Sequence, residues 1–176
     1  MNVVLRQLQS EINSTLHGLN ATQTQLCPTS HKHKWSIQQI IEHLLLTYSS
    51  TETVIDGRLA KRTPTRATPT VANRIFQYAV TRCGYFPTGR KAPLLVTPQA
   101  TAHPLSGEEL VLATDNHLVH LDLLFTEAGN LFGPASKCAT HAVLGPLNIS
   151  QWRRFHLIHG KHHLKQIAAI RRTHHI

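Results

Sequence analysis

The stretch SQWRRFHLIHGKHHLKQIAAIRR, residues 150–172, reads as one amphipathic helix. With Trp152 at zero and about 100° added per residue, Phe155, His156, His159, His163, Gln166, Ile167 and Ile170 fall within about 60° of it. Arg154, Lys161, Lys165, Ala168 and Arg172 fall near the opposite side. The pattern predicts a helix capped by Ser150 and running to about Arg172. His159 and His163 lie one turn apart in the middle of its apolar stripe. That spacing presents two imidazoles on one side, where both can reach one metal ion. Burying two imidazoles without partners is costly, and a shared cation removes the difficulty. The competing reading is a pair of core histidines bonded to other side chains or to water.

Working outward, three more long helices are expected. Val4, Leu5, Leu8, Ile12, Leu16 and Leu19 recur at spacings of three and four, predicting a helix from Val3 to about Leu19. The polar connector at 29–34 follows. Ser36 with Gln39 three residues on is a capping-box arrangement, opening a helix whose stripe is Ile37, Ile40, Ile41, Leu44, Tyr48 and Ile55, with Gly57 as its stop. Residues 57–70 are basic, threonine-rich and aperiodic, hence a loop. A short helix from about Val71 to Cys83 should place Ile75, Phe76 and Ala79 on one side. Pro87, Pro93, Pro98 and Pro104 then forbid a regular helix. Ser106 and Glu109 form a second capping box, and that helix should end near Glu127, at Gly129 and Asn130. No strand series or internal repeat is evident. The expectation is an all-α fold in a single domain over 1–176: a four-helix bundle with a long crossover excursion between its second and third long helices.

Composition agrees with an ordinary globular chain. At 176 residues one hydrophobic core suffices without covalent staples. No apolar run approaches the roughly 18 residues that cross a bilayer, and MNVVLRQLQSEINSTL lacks the continuous apolar region of a signal peptide, so a cytoplasmic protein is expected. Cys27, Cys83 and Cys138 make an odd count without CxxC spacing; buried, inert thiols are expected rather than disulfides or a zinc knuckle. The net charge is +9, but the basic residues are scattered, with modest clusters at Arg58–Arg66, Arg153/Arg154 and Arg171/Arg172 and without the aromatic interleaving of a base-stacking surface. A solvated surface is the reading adopted, with no specific nucleic acid and no membrane as partners. Fourteen histidines are anomalous, although His31, His33, His174 and His175 sit in polar segments and read as surface residues.

The third ligand is not decided by spacing. His43 lies about 110° from the centre of its helix stripe, so periodicity does not require its burial. His120 and His156 are rivals on position. A set drawn from His156, His159 and His163 alone would spread over roughly 10 Å of helix axis. Zinc–nitrogen bonds are only about 2.0–2.1 Å, so a ligand from another helix is needed.

The strings WSIQQIIEHLLLTY (35–48), GYFPTGRKAP (84–93) and HAVLGPLNISQWRRFHLIHGKHHLKQI (141–167) resemble the DinB/YfiT-like superfamily, in particular its branch with a tryptophan-led second helix and an H-x-x-H-H-x-x-Q ending. The likeness covers most of the chain between Trp35 and Ile167. It implies a four-helix bundle with a histidine triad binding a divalent metal, one ligand on the second helix and two on the last. Residue by residue, the ligands fall on His43, within Glu42-His43-Leu44, and on His159 and His163. His162 becomes a flanking residue. Relatives of this kind include thiol S-transferases and a mycothiol-dependent isomerase, in which the metal presents a thiol as thiolate; others are described as hydrolases.

Three neutral histidines leave a metal its full charge and an open position, as in catalytic sites. The first expectation is therefore metal-assisted attack by a thiol or water nucleophile, with a low-molecular-weight thiol or another small molecule as substrate. The second is a non-catalytic metal-binding stress-response scaffold, because Glu42 points about 100° away from His43 and is a poor general base. Zinc or nickel is expected first, although histidine nitrogens also suit copper and iron. Gln166 is a candidate to hydrogen-bond a bound ligand, and Arg90 and Lys91 to attract an anionic substrate. A homodimer is left open.

Overall fold

Capping chemistry sets where the helices begin. In the computed structural model, which describes residues 1–29, 34–86, 91–100 and 103–176, α1 spans Val3–Leu16, α2 Ile37–Ala60, α3 Val71–Thr81, α4 Gly107–Phe132 and α5 Ile149–His174. The Ser36/Gln39 and Ser106/Glu109 boxes form as expected: each serine side chain accepts the amide of the third helical residue, whose side chain reaches back to the serine amide. Two orphan donors are satisfied at each site. At α5 the cap is Asn148, not Ser150. Asn148 Oδ1 accepts the Gln151 amide at 2.9 Å, and Gln151 Oε1 accepts the Asn148 amide at 3.1 Å. Asparagine is as strong a cap as serine, and the available N3 partner decides between them.

Three helix ends also differ from expectation. α1 stops at Leu16, because the chain turns through Gly18 at φ +75°; Leu19 is buried even so. α2 passes through Gly57 to Ala60. α4 passes through Gly129 and ends at Gly133, whose φ of +86° only glycine adopts without strain. Gly129 serves packing instead: a Cβ there would stand 3.2 Å from Ile149 Cδ1 at the start of α5.

The fold is mostly helical, with one two-stranded antiparallel hairpin, β1 Ala139–His141 and β2 Gly145–Leu147. Leu8 against Gly160, and Arg171 Nη1 donating to the Thr15 carbonyl, make α1 and α5 run the same way. The Asn2–Asp122 and Gly107–Leu19 hydrogen bonds make α1 and α4 antiparallel. Gln38 with Leu105, and Glu52 with His117, make α2 and α4 parallel. Two consecutive long helices can be parallel only if a long connection returns the chain to its starting end, and residues 61–106 do this. Between the four long helices lie Leu5, Ile12, Ile41, Tyr48, Leu118 and Phe125, each with 0% of its surface exposed. Each such side chain contributes about 1.5–3 kcal/mol. Gly160 lets α1 approach α5 closely, since a Cβ there would collide with Leu8 Cδ1.

Of the apolar residues expected on one side of the short helix, Phe76 packs half-buried against the core and Ala79 is half-buried, whereas Ile75 turns outward. The buried residues of α3 are Gln77 and Val80, and Ile75 is 63% exposed rather than packed. The reason is local: Gln77 Nε2 donates to the carbonyls of Leu144 at 2.7 Å and Pro146 at 3.1 Å, which fixes α3 against the hairpin. The thiols differ as well. Cys138 is buried, and burial pushes its thiol up to about 11, but Cys27 is half-buried and Cys83 exposed just beyond α3. Among the described residues no helix is long and apolar enough to cross a membrane.

Candidate metal centre

His159 and His163 sit on the inner side of α5, where the helical period puts them, among Trp152, Phe155, Ile167 and Ile170, all buried. His43 comes from α2, which runs antiparallel to α5. Although it lies on the shoulder of its own stripe, it is only 5% exposed, because that shoulder faces α5. The three imidazoles converge. His43 Nε2 lies 3.1 Å from His159 Nε2, and His163 Nε2 lies 3.0 Å from the same atom. One nitrogen of each ring lies within 4.8 Å of the others.

The far sides of the rings show which nitrogens carry protons. His43 Nδ1 donates to the Val96 carbonyl at 2.6 Å, and His163 Nδ1 donates to Gln166 Oε1 at 3.0 Å. A neutral imidazole has one N–H, so both Nε2 atoms present lone pairs to the centre. His159 Nδ1 is buried and has no partner among the described residues. Burial also holds the rings neutral. His43 is lowered from its ordinary value by desolvation, with the Val96 carbonyl opposing. His163 is pushed down to about 3, first by burial and then by His43. His159 is lowered well below the ordinary value, by burial and then by His163 and His43. Neutral rings with Nδ1–H held on carbonyl oxygens are the form in which histidine ligates metals.

Aromatic rings wall the group. Phe155 stacks on His159 with centroids 5.3 Å apart, Phe86 stacks on it from the excursion at 4.9 Å, and Trp35 lies 5.0 Å from His43. Among the sequence candidates, Gln166 is exposed rather than in the buried stripe, and it joins His163 to His162, whose Nε2 accepts from Gln166 Nε2 at 3.2 Å. His156 is fully buried but belongs to a different group, against Tyr48 and Phe125, with both ring nitrogens unpartnered among the described residues. His120 is 57% exposed beside Glu52 on the α2–α4 side. Lys91 is exposed; Arg90, His31 and His33 lie outside the described residues. His174, expected at the surface, is half-buried and donates to the Cys27 carbonyl at 2.8 Å. The Val96 carbonyl was illegible in the sequence, since a backbone acceptor carries no residue signature. Trp35 and Phe86 did stand within the family-like strings.

The family model described as "Protein of unknown function (DUF1569)" matches residues 5–169. No curated protein and no solved structure matches the chain.

Proposed function

The chain belongs to the DUF1569 family, and on the geometry of its three histidines we propose that it is a metal-dependent protein holding one divalent ion, zinc or nickel first, on His43, His159 and His163. One observation carries the reading: three imidazole nitrogens meet in a nearly closed site, with the protons of His43 and His163 already committed to Val96 and Gln166. The Nε2 lone pairs of His43 and His163 both point at His159 Nε2, and a cation among the three nitrogens would turn that convergence into coordination. Three histidines at this spacing fit a tetrahedral or five-coordinate ion with a position left over.

A divalent ion bound by neutral nitrogens supplies Lewis acidity toward a thiol or water nucleophile. The chain's own residues contribute orientation and exclusion of water. Val96 and Gln166 hold two rings in the ligating tautomer, while Phe155, Phe86 and Trp35 surround the rings with apolar surface. On this reading the substrate is a low-molecular-weight thiol or another small molecule. The four long helices are then a DinB-like four-helix bundle, with residues 61–106 as the crossover. Supporting that are the helix directions, the ligand positions on α2 and α5, and the family-like strings.

A non-catalytic metal scaffold is favoured by one feature. Glu42, the acid next to His43 in sequence, accepts from Gln38 Nε2 at 2.9 Å along its own helix. Elemental analysis of untagged protein should find close to one metal per chain, and His163→Ala should abolish it. Full metal retained by that variant would falsify the ligand assignment. A thiol-conjugation screen of the loaded protein then separates enzyme from scaffold.

A further inference from the structure

The positive charge of this protein is concentrated in one stretch. Residues 57–107 contain eight of the 18 lysines and arginines and none of the nine acids, so the rest of the chain is nearly neutral. Lys61, Arg62, Arg66, Arg74, Arg82 and Lys91 are exposed, and none forms an ion pair among the described residues. The same stretch carries the most exposed apolar helix face. Val71, Ile75 and Tyr78 recur at i, i+4 and i+7, within about 60° on α3, and are 76%, 63% and 66% exposed. Arg82 continues that line, Arg74 flanks it, and the opposite side of α3 is held by Gln77 and Val80. Nearby in the chain, Tyr85, Leu94 and Leu95 are also exposed, at 60%, 92% and 74%.

We propose that α3 and its basic flanks form a docking surface for an anionic phospholipid bilayer, with Val71, Ile75 and Tyr78 entering the headgroup–acyl boundary and Arg74 and Arg82 meeting lipid phosphates. A short helix with an apolar face and cationic edges is suited to lie in that plane. Charge decides against a second copy of the chain, because a two-fold contact would set like charges face to face, and the rest of the surface has no acidic excess to receive them. The aliphatic members decide against nucleic acid: valine and isoleucine offer nothing to a phosphate backbone, and stacking requires aromatic platforms. Spanning is not involved; the contact proposed is peripheral. This inference is independent of the metal site.

The test uses the full chain and large vesicles of phosphatidylcholine, with or without about 30% phosphatidylserine. The protein should sediment with the anionic vesicles, stay in solution with the neutral ones, and be released at about 1 M salt. Ile75→Asn, at a site too exposed to disturb the fold, and Arg74→Glu should each weaken binding about tenfold or more. His163→Ala should bind vesicles as the parent does. Failure to sediment overturns the proposal, as does binding indifferent to Ile75→Asn. Tighter binding to a single-stranded oligonucleotide than to anionic vesicles, or a lipid-free dimer dissolved by Ile75→Asn, overturns it in favour of that other occupant.

Discussion

His43 Nδ1 donates to the Val96 carbonyl at 2.6 Å, joining the interior of α2 to a loop carbonyl 53 positions further along. The contact makes the crossover part of the site, because it sets which nitrogen of His43 faces His159. His43→Ala should therefore lower metal affinity by orders of magnitude. His120→Ala and His156→Ala should change it little, since one ring is exposed beside Glu52 and the other packs against Tyr48. Apparent metal dissociation constants for the three variants decide the matter; a dominant loss in either of the latter two overturns the triad.

Gln166 offers a graded test of the same site. Its Oε1 accepts from His163 Nδ1, and its exposure makes it dispensable for packing. Partners that orient a ligating histidine change metal affinity by about 10–100-fold when removed. Gln166→Ala should fall in that range and keep one metal per chain at saturation. Unchanged affinity would leave Gln166 an ordinary surface residue.

Acid should destabilise the metal-free protein through its buried histidines, including two outside the triad. Burial pushes His156 down to about 3 and His141 down to about 4. Above pH 6.5, the ordinary value, both are neutral folded and unfolded, and stability does not depend on them. Below it the unfolded chain takes up protons that the folded one refuses, so stability falls with pH until the folded values are reached. Each group contributes roughly a tenfold rise in the unfolding constant per pH unit in that window. His156→Leu should remove one such factor. It should also raise stability at pH 7, because two buried nitrogens without partners disappear. Denaturant titrations at pH 7 and 5 measure both effects; parallel losses in parent and variant would contradict them.

Chelation should leave the helices standing. The core of four long helices does not depend on the triad, unlike that of a zinc finger. Far-ultraviolet circular dichroism should stay nearly constant when metal is removed. Collapse of the signal would make the site structural and count against the catalytic reading.

Gly160→Ala tests the packing beneath the site. The added methyl would run into Leu8 Cδ1 and press α1 away from α5. Overpacking of this kind costs about 1–3 kcal/mol, and because His159 and His163 flank the position, metal affinity should fall along with thermal stability. A variant as stable as the parent would mean that Leu8 moves aside freely.

Local chemistry was legible in the chain itself. The boxes at Ser36 and Ser106, the apolar stripes of α1, α2 and α5, and the inward placing of His159 and His163 all follow from contacts within a few residues. The helical period fixes such contacts before any tertiary packing. Where two residues could serve locally, as with Asn148 and Ser150 or Gly129 and Gly133, packing and the capping partner chose between them. The outward face of α3 was likewise decided by carbonyls of a hairpin more than sixty residues away. So was the meeting of His43 with the α5 pair. Its position on the shoulder of α2 carries no demand for burial, and only the antiparallel approach of α5, with Val96 brought in by the crossover, turns that shoulder inward. Periodicity is a property of one helix, whereas a ligand set drawn from two helices and oriented by a loop depends on distances that exist only after all three have packed.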